Sequence, residues 1–164
     1  MTGAVKNIPT SWKRAASEWV KLPLFRYLMA WGIRLVVPRQ RVGAAVVALN
    51  EQGYILLLRH VFHPSAPWGL PGGWLNRNEA PDAGVLRELQ EETGLTAVLE
   101  HILVIEKQSY PPHLGIIYQA RVQSGPLTLS AEIIEAGWFM LDDLPGPLTP
   151  LTQKAIEIVI SSNY

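Results

Sequence analysis

The chain has 164 residues, 48% of them apolar, no cysteine and a formal net charge of zero. That length fits one domain with an appendage. The apolar share can build a core, and the lack of cysteine excludes a disulfide framework, a thiolate metal site and a cysteine nucleophile.

The zero balance hides an asymmetry. Residues 1–41 hold eight Lys/Arg and a single acid, Glu18, for a charge of +7, and the remaining residues carry −7. A basic arm therefore precedes an acidic body, and it is suited to a membrane surface, a nucleic acid or the acidic body itself. Within the arm, Ser11 can cap a short helix through Val20. Pro23 breaks it, and Leu24 to Trp31 forms a second helix expected to end at Gly32. The best apolar stretch, residues 22 to 37, is interrupted by Pro23, Arg26, Gly32 and Arg34, whereas a membrane span needs about 18 or more apolar residues. It also makes a poor secretion signal. A cytoplasmic location is expected.

Past the arm, "VGAAVVALN" (42–50) and "YILLLRH" (54–60) read as strands joined through a loop at Gly53. "VFHPSAPWGLPGGW" reads as a loop by its prolines and glycines. Residues 81 to 93 form a helix, with Pro81 at its first position and Gly94 just past its end. "AVLEHILVIEKQ" (97–108) and "GIIYQARV" (115–122) are two strands separated by a Pro-rich loop at Pro111 and Pro112. "AGWFM" (136–140) is a short strand and "LDDLPG" a turn. Thr149 caps a last helix, with Pro150 at its first position and Leu151, Ala155, Ile156 and Val159 on its buried face. Strands interleaved with helices indicate a sheet with helices packed on its faces.

The helix at 81–93 raises a chemical question. At 100° per residue Gly84, Glu88 and Glu91 project within a narrow arc, with Glu92 further round the same side. Leu86 and Leu89 point roughly opposite, toward the sheet. Like charges at these spacings destabilise a helix by about 0.2–0.5 kcal/mol per pair. Arg87 reaches Glu91 at i,i+4 and offsets one of them. A hard divalent cation removes the rest, because Mg2+ favours carboxylate oxygens and keeps positions open for phosphates. Gly84, one turn before Glu88, is expected to leave room for a ligand, and the backbone at Gly73 can approach closely and lend a carbonyl to a metal. The competing reading is a solvated acidic helix face.

Gly73, Glu79, Arg87-Glu88-Leu89, Glu91-Glu92 and Gly94-Leu95 match the signature of the Nudix hydrolases, Gly-x5-Glu-x7-Arg-Glu-U-x-Glu-Glu-x-Gly-U with U apolar, at every defined position. From average residue usage, a chance match has a probability on the order of 10⁻⁷. "YILLLRH", "WGLPGGWL" and "EAGWFMLDDLP" are similar to phrases flanking that box in the family, and the resemblance covers roughly residues 42–160. One departure is Ala80, where family members often carry a capping Ser or Thr. Ala80 cannot accept that hydrogen bond, a loss of about 1 kcal/mol, which Glu79 or Asp82 can partly make good at the positive end of the helix dipole.

The resemblance implies an α/β/α sandwich on a mixed β-sheet, of α+β or α/β class, over residues 41–164, preceded here by a helical arm at 1–40. Members hydrolyse a diphosphate linked to another moiety, usually a nucleoside, using Mg2+ or Mn2+. Carried onto this chain, Glu88, Glu91 and Glu92 would hold the metal, with the Gly73 carbonyl as a further ligand. Arg87 would orient these carboxylates, and Glu79 would tie loop to helix. The general base is either a box glutamate, such as Glu88 or Glu91, or a glutamate from the loop before the last strand. That loop, "SAEIIEAGW", offers Glu132, as a base or a further metal ligand, ahead of Glu135, which adjoins the Trp138 strand. Both also fit as surface acids.

Substrate marks are few. Pro111 stands sixteen residues beyond Leu95, a spacing noted in ADP-ribose-cleaving members, although an ordinary loop proline reads the same. No fingerprint of the NADH-cleaving or coenzyme A-cleaving branches is present. Arg59 is a candidate phosphate ligand, and Tyr110 and Tyr118 are candidate base-stacking residues, Tyr118 competing with a core role. His60, His63 and His113 lack ligand spacing and read as loop or strand-end residues. In the arm, Trp12, Trp19, Phe25, Tyr27 and Trp31 interleave with Lys and Arg. They are expected to pack on the domain or on a second subunit, as in a homodimer; an amphipathic anchor at a membrane surface is the alternative. The leading reading is a metal-dependent hydrolase of a small nucleotide substrate, a nucleotide sugar such as ADP-ribose or a (d)NTP. The alternatives are a nucleotide-sensing module without turnover and a pyrophosphohydrolase acting on RNA 5′ ends through the arm.

Overall fold

A computed structural model describes residues 18–162 apart from Val20, Pro38, His63, Pro64, Ala66 and Ser124. The chain divides into two compact units, Met1–Arg39 and Gln40–Tyr164. In the first, the helix expected from Ser11 to Val20 lies outside the described residues, except that Glu18 and Trp19 are helical. Helix α1 (Pro23–Val36) has Pro23 in its first turn and runs straight past Gly32, its expected end. An interior glycine costs only about 1 kcal/mol, too little to stop a helix. The stop comes at Val37, which is extended at φ −81° and ψ 118°, as the steric demand of the following Pro38 requires.

The second unit is built on a seven-stranded mixed sheet with the order β3-β2-β1-β6-β5, β4 pairing β1 and β7 pairing β2. Its strands are β1 (Arg41–Leu49), β2 (Ile55–His60), β3 (Trp68–Gly69), β4 (Gly72–Trp74), β5 (Ala97–Ser109), β6 (Pro112–Val122) and β7 (Ile133–Phe139). Among these strands of the described residues, β1 and β6 pair parallel and the other strand pairings are antiparallel. Asn50 closes the β1–β2 hairpin by accepting the N–H groups of Gln52 and Tyr54 on its side chain, with Gly53 at φ 80°.

Two helices cover opposite faces. Ala44, Val46 and Ala48 of β1 join Ile116, Tyr118 and Ala120 of β6 in a core against Val85 and Leu89 of α2 (Pro81–Thr93). Val47 and Ile117 point the other way, into a core with Ala155, Ile156 and Val159 of α3 (Pro150–Ser162). Burial on both faces explains why these strands read as continuous apolar runs rather than as alternation. Thr149 caps α3 by accepting the N–H of Thr152 at 3.2 Å. Tyr118 is a core residue, 9% exposed, which removes it as a base-stacking candidate.

Three boundaries differ from the sequence reading. The glycine- and proline-rich segment before α2 is not wholly a loop, because Trp68–Gly69 and Gly72–Trp74 add to the sheet. The Pro-rich loop shrinks to a turn at Tyr110 and Pro111, since Ser109 already pairs with Pro112. The last strand begins at Ile133 instead of Ala136, so Glu135 lies within it opposite Arg59. Among the described residues no helix is long and apolar enough to cross a membrane.

Candidate active site

Helix α2 is anchored by Val85 and Leu89, both fully buried, while Leu86 is only half-buried. Burying each of the first two contributes about 1.5–3 kcal/mol. That exceeds the few tenths of a kcal/mol lost per like-charged pair, so the helix tolerates Glu88, Glu91 and Glu92 together. Its N-terminus has no side-chain cap at Ala80, but Asp82 accepts the N–H of Ala83 at 2.8 Å. Gly94 ends it in the left-handed conformation at φ 73°, donating its N–H to Gln90.

The segment before α2 lies against the helix at two glycines. Gly72 has φ 152°, and a Cβ there would stand 2.4 Å from the Ala44 carbonyl oxygen. At Gly73 a Cβ would stand 2.6 Å from Cδ of Glu88. The first contact packs β4 onto β1, and the second brings its backbone directly onto the Glu88 carboxylate. Gly84 serves otherwise than expected: the space beside it is filled by Leu75 and by the Glu79 carboxylate, which a Cβ would meet at 2.4 and 3.1 Å. It admits the preceding loop, not a ligand.

Arg87 is the hub. It donates from Nε and Nη2 to the two oxygens of Glu79 at 2.8 and 2.9 Å, and from Nη1 to Glu88 at 2.9 Å and Glu91 at 3.0 Å. Nη2 also reaches the Trp74 carbonyl at 3.3 Å. A planar fork with several fixed donors suits this task better than a lysine. Glu79 also accepts the N–H of Asn76 at 2.7 Å. The Arg87 guanidinium, with that backbone bond second, lowers the Glu79 carboxyl to about 2. In return Glu79, and then Glu88 and Glu91, hold Arg87 protonated still more firmly.

Glu92 does not share the open face the wheel gave it. It is 8% exposed and accepts the N–H of Gly72 at 2.9 Å. Burial pushes its carboxyl up to about 7, with the charges of Glu88, Glu132 and Glu91 adding to the rise. The carboxylates thus grade from buried Glu92 through Glu88, its side chain 17% exposed, to Glu91 at 59%.

The segment carrying Glu132 is fastened to the end of α2. Thr128 donates to the Thr93 carbonyl at 2.8 Å and Ser130 to the Glu92 carbonyl at 3.1 Å. Val61, just past β2, donates to the Glu132 carbonyl at 3.0 Å. Glu132 is thereby held close enough for its charge to act on Glu92. Glu135 is engaged with Arg59 instead, at 3.5 Å on an exposed surface. Pro111 and Tyr110 sit at the β5–β6 turn, Tyr110 97% exposed.

Four side chains at this site lie outside the defined positions of the signature. His60 Nδ1 lies 3.9 Å from Glu92, both side chains largely buried. Trp74, immediately after Gly73, packs edge-on to His113 at 4.8 Å, and Arg41 lies over its ring at 5.8 Å. His113 is fixed in turn by a 2.6 Å contact between its Nδ1 and the Pro111 carbonyl. A cleft beside the loop is lined by Arg41, Trp74, Asn76 and Glu79. For His60 a signal existed: period two along β2 puts it on the face of Leu56 and Leu58, which α2 covers. His113 comes to Arg41 only through the parallel β1–β6 register.

Among the described residues no three His, Asp or Glu side chains converge closely enough to enclose a metal ion. Glu88 and Glu91 are both turned to Arg87, and Glu92 to Gly72. The donor chemistry nonetheless fits a hard divalent cation: carboxylate oxygens beside a backbone strand, with Gly73 leaving the Glu88 carboxylate free of any intervening side chain.

The NUDIX domain family model matches residues 39–160. A MutT-like protein of Streptomyces ambofaciens is 28% identical over 107 residues, 65% of this chain and 68% of that protein. The NAD-capped RNA hydrolase NudC of Salmonella typhi is 30% identical over 119 residues, 71% of this chain; the chain spans only 46% of that relative. Among solved structures, the MutT NUDIX hydrolase of Burkholderia pseudomallei superposes with a TM-score of 0.66 at 32% identity, covering 74% of this chain and 99% of that one.

Proposed function

The chain belongs to the NUDIX family and is a pyrophosphohydrolase, and from that premise we propose that it cleaves the diphosphate bond of a nucleoside diphosphate linked to a further moiety, using Mg2+ or Mn2+. Nucleotide sugars such as ADP-ribose and (d)NTPs are the substrates in view. The observation that carries this reading is the double anchoring of the acidic helix. Arg87 gathers Glu79, Glu88 and Glu91 in one fork, while the Gly72 N–H fixes Glu92. A merely solvated acidic face has no reason to hold four carboxylates so firmly.

In this reading Glu88, Glu91, Glu92 and the Gly73 carbonyl hold the cation. A divalent cation held there would supply neutralisation of the diphosphate oxygens, stabilisation of charge on the leaving phosphate and a lowered pKa for a water molecule. Arg87 keeps Glu88 and Glu91 aligned. Glu132, fastened to the helix end through Ser130 and Thr128, accepts the proton of the attacking water. Trp74, backed by Arg41 and His113, offers an aromatic surface for a nucleobase.

A panel of ADP-ribose, dNTPs, dinucleotides and NAD, assayed with Mg2+, tests the reading. Product from a nucleotide with a diphosphate bond supports it; silence across the panel favours a nucleotide-sensing module. Cleavage at a capped RNA 5′ end is a second reading, favoured by the NudC relatives. Faster release from capped RNA than from the free dinucleotide would establish it over the first.

A further inference from the structure

We propose that α1 lies along the surface of an anionic phospholipid bilayer, its apolar side sunk below the headgroups and Arg26 and Arg34 turned to the phosphates. The continuation of the helix through Gly32 to Val36 makes the case. It adds Ile33, Arg34, Leu35 and Val36, and so sets Arg34 one stripe with Ala30 and Arg26, at i, i+4 and i+8. Every other position from Leu24 onward is apolar or glycine, over an arc of roughly 240° at 3.6 residues per turn.

That width decides between occupants. A helix docked on a protein surface shows an apolar stripe of about 100° and a polar remainder. A second copy seated on Leu24, Leu28 and Leu35 would leave Met29 and Ile33 facing water. The boundary between headgroups and acyl chains covers the whole arc. None of the helix's residues is buried; Leu24 is 71%, Tyr27 76% and Leu35 68% exposed.

Length and charge agree. Fourteen residues make about 21 Å of helix, short of the ~20 residues needed to span a bilayer, so the helix lies in the surface rather than across it. Tyr27 and Trp31 fall between the leucine stripe and the arginine stripe, the level at which amphipathic rings settle. The helix has no acid, and Glu18, the lone acid of residues 1–41, is paired with Lys21 at 2.6 Å. A surplus of +7 over that segment is complementary to anionic headgroups and sensitive to salt.

The test is flotation of the full chain with vesicles of phosphatidylcholine and phosphatidylserine, against phosphatidylcholine alone, at low and high salt. The chain is expected to float with the mixed vesicles, several-fold less with the neutral ones, and less as salt rises. Leu28→Asp with Leu35→Asp should abolish flotation while leaving the thermal transition of the catalytic domain unchanged. Arg26→Glu with Arg34→Glu should weaken it on mixed vesicles only. The proposal is overturned if the chain fails to float with either vesicle, or if the double aspartate variant floats as well as the parent. A dimer in size-exclusion chromatography that the same variant dissociates, without flotation of the parent, overturns it in favour of a second copy.

Discussion

Gly73 and Glu88 are in contact as backbone to carboxylate: a Cβ on Gly73 would stand 2.6 Å from Cδ, 2.7 Å from Oε1 and 2.8 Å from Oε2 of Glu88. Gly73→Ala must therefore push aside the whole carboxylate. It leaves the cores around Val85 and Ile156 untouched. If Glu88 holds the metal as proposed, displacing it by about 1 Å is expected to lower kcat roughly 10²-fold. Circular dichroism should show an intact fold beside that loss. Parental turnover in the alanine variant would mean that Glu88 is not where the chemistry occurs.

Glu92→Gln separates stability from activity. Glutamine keeps an oxygen to accept the Gly72 N–H and removes a carboxylate that burial disfavours. The metal-free variant is expected to melt no lower than the parent at neutral pH, while kcat with Mg2+ falls by orders of magnitude. Parallel differential scanning calorimetry and initial rates check both halves. A lower Tm with retained rate would reverse the assignment and make Glu92 a structural group. Glu91→Gln, at an exposed position, should likewise lose rate without losing Tm.

Much of this is legible in the amino-acid sequence alone. Glycine at 53 and 94, Pro81, and Thr149 with Pro150 punctuate the elements because each answers a local backbone need. The signature residues of the acidic helix are likewise local in sequence. Wheel geometry fails where a neighbouring segment intervenes. It places Glu92 and Gly84 by azimuth, but cannot know that Gly72 covers the one and that Leu75 and Glu79 fill the space beside the other. Trp74, His113 and Arg41 are separated in sequence and meet only through the pairings of β1 with β4 and β6. The overrun of α1 past Gly32 is a matter of magnitude, one glycine being too weak a signal against the stop that Pro38 imposes on Val37.

Glu79 gives the acid limb of the stability curve a definite sign. Its carboxyl titrates near 4.5 when unperturbed and at about 2 beside Arg87. The folded state therefore binds the proton less readily than the unfolded one. The stabilisation it confers is fully present above pH 4.5 and is lost as pH falls from there through about 2. Glu79→Gln removes the ionised partner, so the variant should melt lower than the parent near neutrality, with the gap narrowing as the solution is acidified. Thermal melts from neutral pH down into the acid range measure that gap. A gap that stays constant would show that the Arg87 pairing contributes nothing through charge.

Ala80 is the place where a single change should stabilise the protein at no catalytic loss. It precedes α2 with extended angles, φ −74° and ψ 141°, and forms no side-chain cap. Those are the angles from which a serine or threonine hydroxyl reaches the N–H groups of the first turn. Substituting such a cap is worth about 0.5–2 kcal/mol in general. The gain here belongs at the lower end, because Asp82 already occupies one of those donors, the N–H of Ala83. For a chain of this size about 1 kcal/mol raises Tm by roughly 2–4 °C. Ala80→Ser is thus expected to raise Tm by about 1–3 °C with kcat and KM unchanged. Asp82→Ala in the parent should lower Tm, and the serine should recover more in that background than alone, since the two side chains compete for the same turn. A cap that recovers no more in the Asp82→Ala background than in the parent would show that the helix N-terminus is satisfied in another way.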